Sequence, residues 1–197
     1  MKRPTRSYID PRVHISDEFE IAVDSMTKSI YKQIKEAGYK NDKELIILCI
    51  GTDRATGDAL GPLIGTELFK NKVNCTVIGN IDEPCHSQNL NEIIDNINEK
   101  YNDRFIVAID AALGKQSSIG FIEVSNGPIS PGNGVGKNLP EVGDISIVGV
   151  VNFSGYMELE VMRSTRLSVV MKMSNIISQS LINVINDLKY NDYQEIL

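Results

Sequence analysis

Cysteine is scarce. Cys49, Cys75 and Cys85 are the three in 197 residues, too few and too scattered to frame a disulfide fold, and no two stand as Cys-x-x-Cys. A reducing compartment is the expectation. No apolar run approaches membrane-spanning length, and residues 1–12 carry charges without an apolar segment, so neither a membrane partner nor a secretory signal is expected. Positive charge is not in excess either. The formal net charge of −6 argues against nucleic acid as a partner, because duplex binders carry a basic face. Three catalytic or nucleotide signatures are missing: the Lys-Ser/Thr of a phosphate-cradling loop, G-x-G-x-x-G, and the G-x-S-x-G nucleophile elbow.

The composition is otherwise that of an ordinary globular protein, 42% hydrophobic and 23% charged, in a chain long enough for one domain with a real core. Residues 1–16, with Pro4 and Pro11, read as an extended arm, and residues 17–197 as a single domain. A first helix is predicted from Asp17, whose spacing to Glu20 suits a capping box. Ile21, Met26, Ile30 and Ile34 supply its apolar side, and Gly38 stops it. Strands are predicted over 45–50, 73–78 and 104–109, with helices over 58–69 and 91–100 between them. That β-α-β-α-β series implies a parallel sheet with right-handed crossovers. A shorter strand over 119–124 reads as antiparallel at an edge. Residues 127–143 are dense in Gly and Pro and read as a long loop, a lid or rim for a binding crevice. A strand over 145–151 and helices over 156–164 and 168–188 close the chain. The fold class is α/β, a three-layer α/β/α sandwich on a mostly parallel sheet.

Chemistry is expected at the carboxyl ends of the strands, where open α/β sheets bind ligands. The apolar run Leu45 to Ile50 leads into a turn, Gly51-Thr52-Asp53-Arg54-Ala55-Thr56-Gly57-Asp58, that carries two acids and one base. Asp110 ends the apolar run of the third strand. If the first and third strands are neighbours, about 4.8 Å apart, Asp58 and Asp110 meet over one crevice. Two close carboxylates drive one pKa up, so one can serve as acid while the other acts as base on water. Each has a plainer reading: Asp58 as a helix N-cap, and Asp110 as a cap or a partner for loop amides. Glu83 and His86 come after the second strand and can add an acid, a base or a ligand; a solvated loop explains them equally. Cys85 beside His86 is a poor thiol dyad, since neighbours in an extended loop point opposite ways. His14 lies in the arm. Asn152 and Ser154 end another strand, where they can line the crevice or cap the next helix. Arg163 and Arg166 read as surface or structural charges, and Lys137 as a flexible cation able to reach an anion.

The turn and several later segments resemble a known family. Gly51 through Pro62, Glu83-Pro84, Ile109-Asp110-Ala111, Gly134-Val135-Gly136-Lys137, Val142-Gly143-Asp144-Ile145, Asn152 through Glu158 and Thr165-Arg166-Leu167-Ser168 are similar to the motifs of the YyaC family of sporulation proteins. That family is related to the spore germination protease and, more distantly, to the hydrogenase maturation endopeptidases. The resemblance covers most of the chain after Glu44. It implies their shared fold and a sporulation-associated, peptidase-like hydrolase of atypical aspartic type, acting on a protein or peptide in the cytoplasm of the sporulating cell or spore. It also implies that the catalytic pair falls on Asp58 and Asp110; Asp53, Arg54, Glu83, His86, Asn152 and Ser154 are the expected substrate-binding or supporting residues. In the maturation enzymes the equivalent acids look like metal ligands, helped by a histidine near the position of Asn152 to Gly155. This chain has none there, which removes part of a nickel-type site. No cofactor is expected, and a divalent metal with Asp58, Asp110 and His86 is left open. A binding or assembly protein on the same fold is the alternative to an enzyme.

Overall fold

In the computed structural model, residues 12–132 and 139–195 are described, with side chains described as far as Lys189. The apolar run at the start of the turn is a strand, β2 (Glu44–Cys49). Leu45, Ile47 and Cys49 face one core, while Ile46 and Leu48 face another on the opposite side of the sheet. Burial on both faces explains why the run shows no polar alternation. The crossover to the neighbouring strand β3 (Thr76–Ile78) is α2 (Leu60–Lys70), preceded by a 3-10 turn at Gly57–Ala59. Leu60, Ile64 and Leu68, at helical spacing, are its fully buried stripe. Burying each such side chain stabilises the fold by about 1.5–3 kcal/mol before entropy is counted.

The chain continues through α3 (Leu90–Lys100) to β4 (Arg104–Gly114), then β5 (Phe121–Asn126) and β6 (Ile145–Phe153). It ends with α4 (Glu158–Arg163) and the long α5 (Leu167–Glu195). The strand that precedes all of these, β1 (Arg12–His14), comes from the end of the expected arm, and residues 1–11 lie outside the described residues. Sheet order is β1-β5-β6-β4-β2-β3. β3, β2, β4 and β6 run parallel, while β5 pairs antiparallel with both β6 and β1. The antiparallel strand is therefore as expected in direction, but β1 takes the edge from it. α1 (Phe19–Glu36), α2 and α5 cover one face, while α3 and the flanks of the long loop cover the other. The architecture is the three-layer α/β sandwich.

Three local expectations are corrected. Asp17 does not cap α1, which begins without a side-chain cap. Its Oδ2 accepts the His14 N–H at 3.0 Å instead, closing the turn between β1 and α1. The buried side of α1 is Ala22, Val23, Met26, Ile30 and Ile34, and Ile21 is exposed because it stands one position out of phase. β4 does not end at Asp110. The apolar residues Ala111, Ala112 and Leu113 prolong it beside β6, through Gly114↔Phe153. Asp110 thus sits inside the strand, beyond the last β2 partner.

Candidate active site

Asp58 is placed by a turn that folds back onto the end of β2. Gly51 has φ +136°, and a side chain there would collide with the Asp58 carbonyl, so only glycine lets the two ends of the turn meet. The Thr52 N–H donates to both the Asp58 carbonyl (3.1 Å) and its Oδ2 (3.0 Å). Helix α2 carries no side-chain cap, so the carboxylate reads backwards into the turn and is not the N-cap. Gly57 lies so close to Met162 and Thr165 that a Cβ has no room, and this fixes the turn against α4. Burial raises the Asp58 pKa above 3.8; the Thr52 hydrogen bond and the nearby His86 oppose the rise.

Asp110 reaches the same place from the next strand. β2 and β4 are paired up to Cys49↔Ile109, with Ile50 N–H donating to Ile109 C=O at 2.8 Å. By strand alternation its side chain lies on the face of Ile106 and Ala108. Its Oδ1 accepts the Ala111 N–H at 2.8 Å. Burial first, and the Asp58 charge second, push the Asp110 pKa up to about 8, against the pull of the Ala111 hydrogen bond. The Asp58 charge thus acts on Asp110 where β2 ends beside the interior of β4. At neutral pH such a pair holds Asp110 largely protonated, while Asp58 keeps two influences that favour its ionised form. One donor and one acceptor of a proton stand side by side.

The other sequence-derived residues divide. His86 is half-buried and near enough to Asp58 to act on its charge; its Nδ1 accepts the Gln88 N–H at 3.3 Å and its own N–H donates to Asn89 Oδ1 at 2.8 Å. Glu83 is exposed on a turn tied by Asn80. Glu83 and His86 line a cleft with Phe69, Asn80 and Asn89 that includes neither aspartate. Asp53 and Arg54 are exposed on the turn, linked to it through the Thr52 hydroxyl. Asn152 works inside the fold: its Nδ2 donates to Val161 C=O and Thr165 Oγ1, and its Oδ1 accepts the Phe153 N–H. It ties the end of β6 to α4. Ser154 donates its N–H to Gly114 C=O at 2.7 Å, locking β6 to β4, and the residue before α4 is Met157, so Ser154 is not the helix cap. Arg163 forms a surface ion pair with Glu160, and Lys137 lies outside the described residues. Cys85 is fully buried, and burial with the Asp110 charge pushes its thiol up to about 12, far from a nucleophile.

Sequence reasoning missed Thr52, whose main-chain N–H orders Asp58, and Thr165, which is buried between Gly57 and Asn152. The tight Gly51 and Gly57 spacing was the available signal. The long loop joins the site's side of the molecule: Ile129 and Val142 exchange main-chain hydrogen bonds of 3.0 Å each, and Val142 packs in the core on the Asp110 face. Residues 133–138 lie outside the described residues. Among the described residues, no three His, Cys, Asp or Glu side chains converge as a metal-holding group.

Comparison with known proteins gives a family and a fold. The family model described as "Protein of unknown function (DUF1256)" matches residues 14–180. A Bacillus subtilis (strain 168) protein with the name "Uncharacterized protein YyaC" is 44% identical over 140 residues, which span 71% of this chain and 68% of that protein. Among solved structures, the NiFe hydrogenase maturation protease HycI from Thermococcus kodakarensis KOD1 aligns with a TM-score of 0.52. The alignment covers 80% of this chain and 98% of that one at 13% identity, a likeness of fold.

Proposed function

The chain belongs to the DUF1256 family and is 44% identical to YyaC over 140 residues, and from its paired aspartates and its fold we propose that it is a peptidase-like hydrolase working in sporulating cells. The observation that carries the reading is the influence of the Asp58 charge on Asp110, which lies in β4 just past the end of β2. The fold of a maturation protease supports it. Asp58, ordered by the Thr52 N–H, takes a proton from a water molecule, which attacks the peptide carbonyl. Asp110, protonated near neutral pH, donates its proton to the carbonyl oxygen. As the tetrahedral intermediate collapses, Asp58 passes the proton taken from water to the leaving amine, the C–N bond breaks, and Asp110 recovers its proton from the hydroxyl. His86 favours the ionised state of Asp58. The protein acts in the cytoplasm of the sporulating cell or in the spore interior, on a protein or peptide substrate.

The test is cleavage of a panel of small spore proteins by the wild type, Asp58→Asn and Asp110→Asn. The wild type cleaves at least one, and each variant loses on the order of 10²–10⁴ in turnover. Unchanged cleavage by either variant removes that aspartate from the chemistry. Failure of the wild type to cleave any of them, while still capturing one, would favour a binding or assembly protein on the same fold.

A further inference from the structure

β2 and β4 part company at the site. The last rung between them is the Ile50 N–H to Ile109 C=O hydrogen bond, yet β4 runs on for five more residues to Gly114. Over that length β6 pairs with only one side of β4. Main-chain groups of alternate residues face alternate sides, so Ile109, Ala111 and Leu113 point to the side where β2 has ended. Gly114, of the opposite parity, bonds Ser154 across to β6, which agrees with that assignment. The Ala111 N–H is taken by Asp110 Oδ1. Outside the β4–β6 ladder, whose register shifts between Ala112 and Leu113, the Ala111 C=O and the Leu113 main chain bond no described residue.

This is an open rung inside the sheet, not at its outer edges, which are β1 and β3. It begins one residue beyond Asp110 and spans about 10 Å at a strand's rise per residue. Unpaired strand groups of this kind are complemented by another extended backbone. The 3-10 turn Gly57–Ala59 packs against β4, and so short a rung suits a single extended strand better than the edge of a second globular domain. Nearby, the segment after β6 exposes four large apolar side chains, Phe153, Tyr156, Met157 and Leu159. Asn152 and the Gly57 contact hold that segment against the Asp58 turn. They offer an apolar surface to the side chains of a chain lying along the end of β4.

We infer that the ligand of this site is an extended polypeptide segment that adds to β4 as a short strand, hydrogen-bonding to Ala111 C=O and to the Leu113 main chain. Large apolar side chains of the segment rest on Phe153, Tyr156, Met157 and Leu159. Main-chain pairing sets the depth and direction of the segment and brings one of its peptide bonds over Asp58 and Asp110. The inference rests on the hydrolase reading only for what happens to the peptide afterwards. Docking itself needs no chemistry.

The test uses phage-displayed random dodecapeptides panned against the full chain, followed by synthesis of an enriched peptide. Its affinity is measured for the wild type, Leu113→Pro and Leu113→Ala, with thermal melts to confirm folding. Proline removes the Leu113 N–H, fixes φ there and shortens a partly buried side chain, so Leu113→Ala controls for the side chain and the melts for the fold. Leu113→Pro should weaken binding at least tenfold, and Leu113→Ala less than threefold. A second arm avoids variants. Peptides N-methylated one position at a time should lose affinity at alternate positions, and the Leu113 amide should gain protection from hydrogen exchange when peptide is added. Equal binding to Leu113→Pro, absence of alternation, or no peptide enriched over an unrelated control protein would overturn the inference. So would concentration-dependent dimerisation that Leu113→Pro abolishes, since a second copy would then fill the open rung. Cleavage of the peptide is scored separately: alternation without cleavage keeps the docking and removes the hydrolase, while cleavage insensitive to Leu113→Pro does the reverse.

Discussion

Replacing Asp110 by asparagine should change how stability depends on pH, and by an amount the structure sets. The Asp110 carboxyl has its pKa near 8 when folded, against an ordinary value of 3.8. A folded carboxyl raised in this way binds its proton more tightly than the unfolded one. Its contribution to stability is complete below about pH 4 and is lost as pH climbs through 8. Between those limits the loss approaches about 1.4 kcal/mol per pH unit. From pH 5 to pH 7 the wild type should therefore lose on the order of 2–3 kcal/mol relative to Asp110→Asn. The asparagine keeps an oxygen for the Ala111 N–H, so the hydrogen bond of 2.8 Å need not be lost. Urea unfolding of both proteins at pH 5, 6 and 7 measures the difference, and other titrating groups cancel between them. Parallel stability curves would refute the argument, because they would mean that Asp110 is solvated and ionised like any surface carboxylate.

Other outcomes arise from the surroundings of the pair. Gly57→Ala forces a methyl into Met162 and Thr165, and should lower stability by about 1–3 kcal/mol, a fall of several degrees in a thermal melt. Asn152→Ala takes the acceptor from the Phe153 N–H and a donor from Thr165 Oγ1 and Val161 C=O, and should cost about 1–3 kcal/mol by urea unfolding. Cys49 and Cys85 are fully buried, so iodoacetamide should label neither in the native protein at pH 8 and both in urea. Labelling of Cys85 at the rate of a free thiol would show that the site opens readily.

The parts of the fold that are legible in the sequence are those in which local pattern and burial agree. The run Leu45 to Ile50, the Gly51 and Gly57 turn and the stripe Leu60, Ile64 and Leu68 can be read directly, because strand, turn and helix each have their own residue chemistry. The order of β3, β2 and β4 comes from the crossovers. The reach of β4 is not legible. An aspartate after five apolar residues looks like the end of a strand, and only the pairing with β6 carries the backbone on to Gly114. β1 is hidden for a similar reason: three residues gain strand structure from Phe121–Glu123, more than a hundred positions away. Asn152 and Ser154 look like crevice residues because polar residues at a strand end usually face solvent. Their partners are main-chain groups and a threonine, and nothing local announces them.

The central claim is that Asp58 and Asp110 titrate as one unit. Carbon-13 NMR of the aspartate carboxyl groups, monitored from pH 3 to pH 9 in the wild type, Asp58→Asn and Asp110→Asn, tests it most directly. In the wild type one carboxyl should titrate near 8 and the other above the ordinary aspartate range. In Asp58→Asn the Asp110 resonance should titrate lower, because the repelling charge is gone, yet remain above 3.8 because burial persists. Two carboxyl groups that titrate near 3.8, each unmoved by loss of the other, would contradict the account.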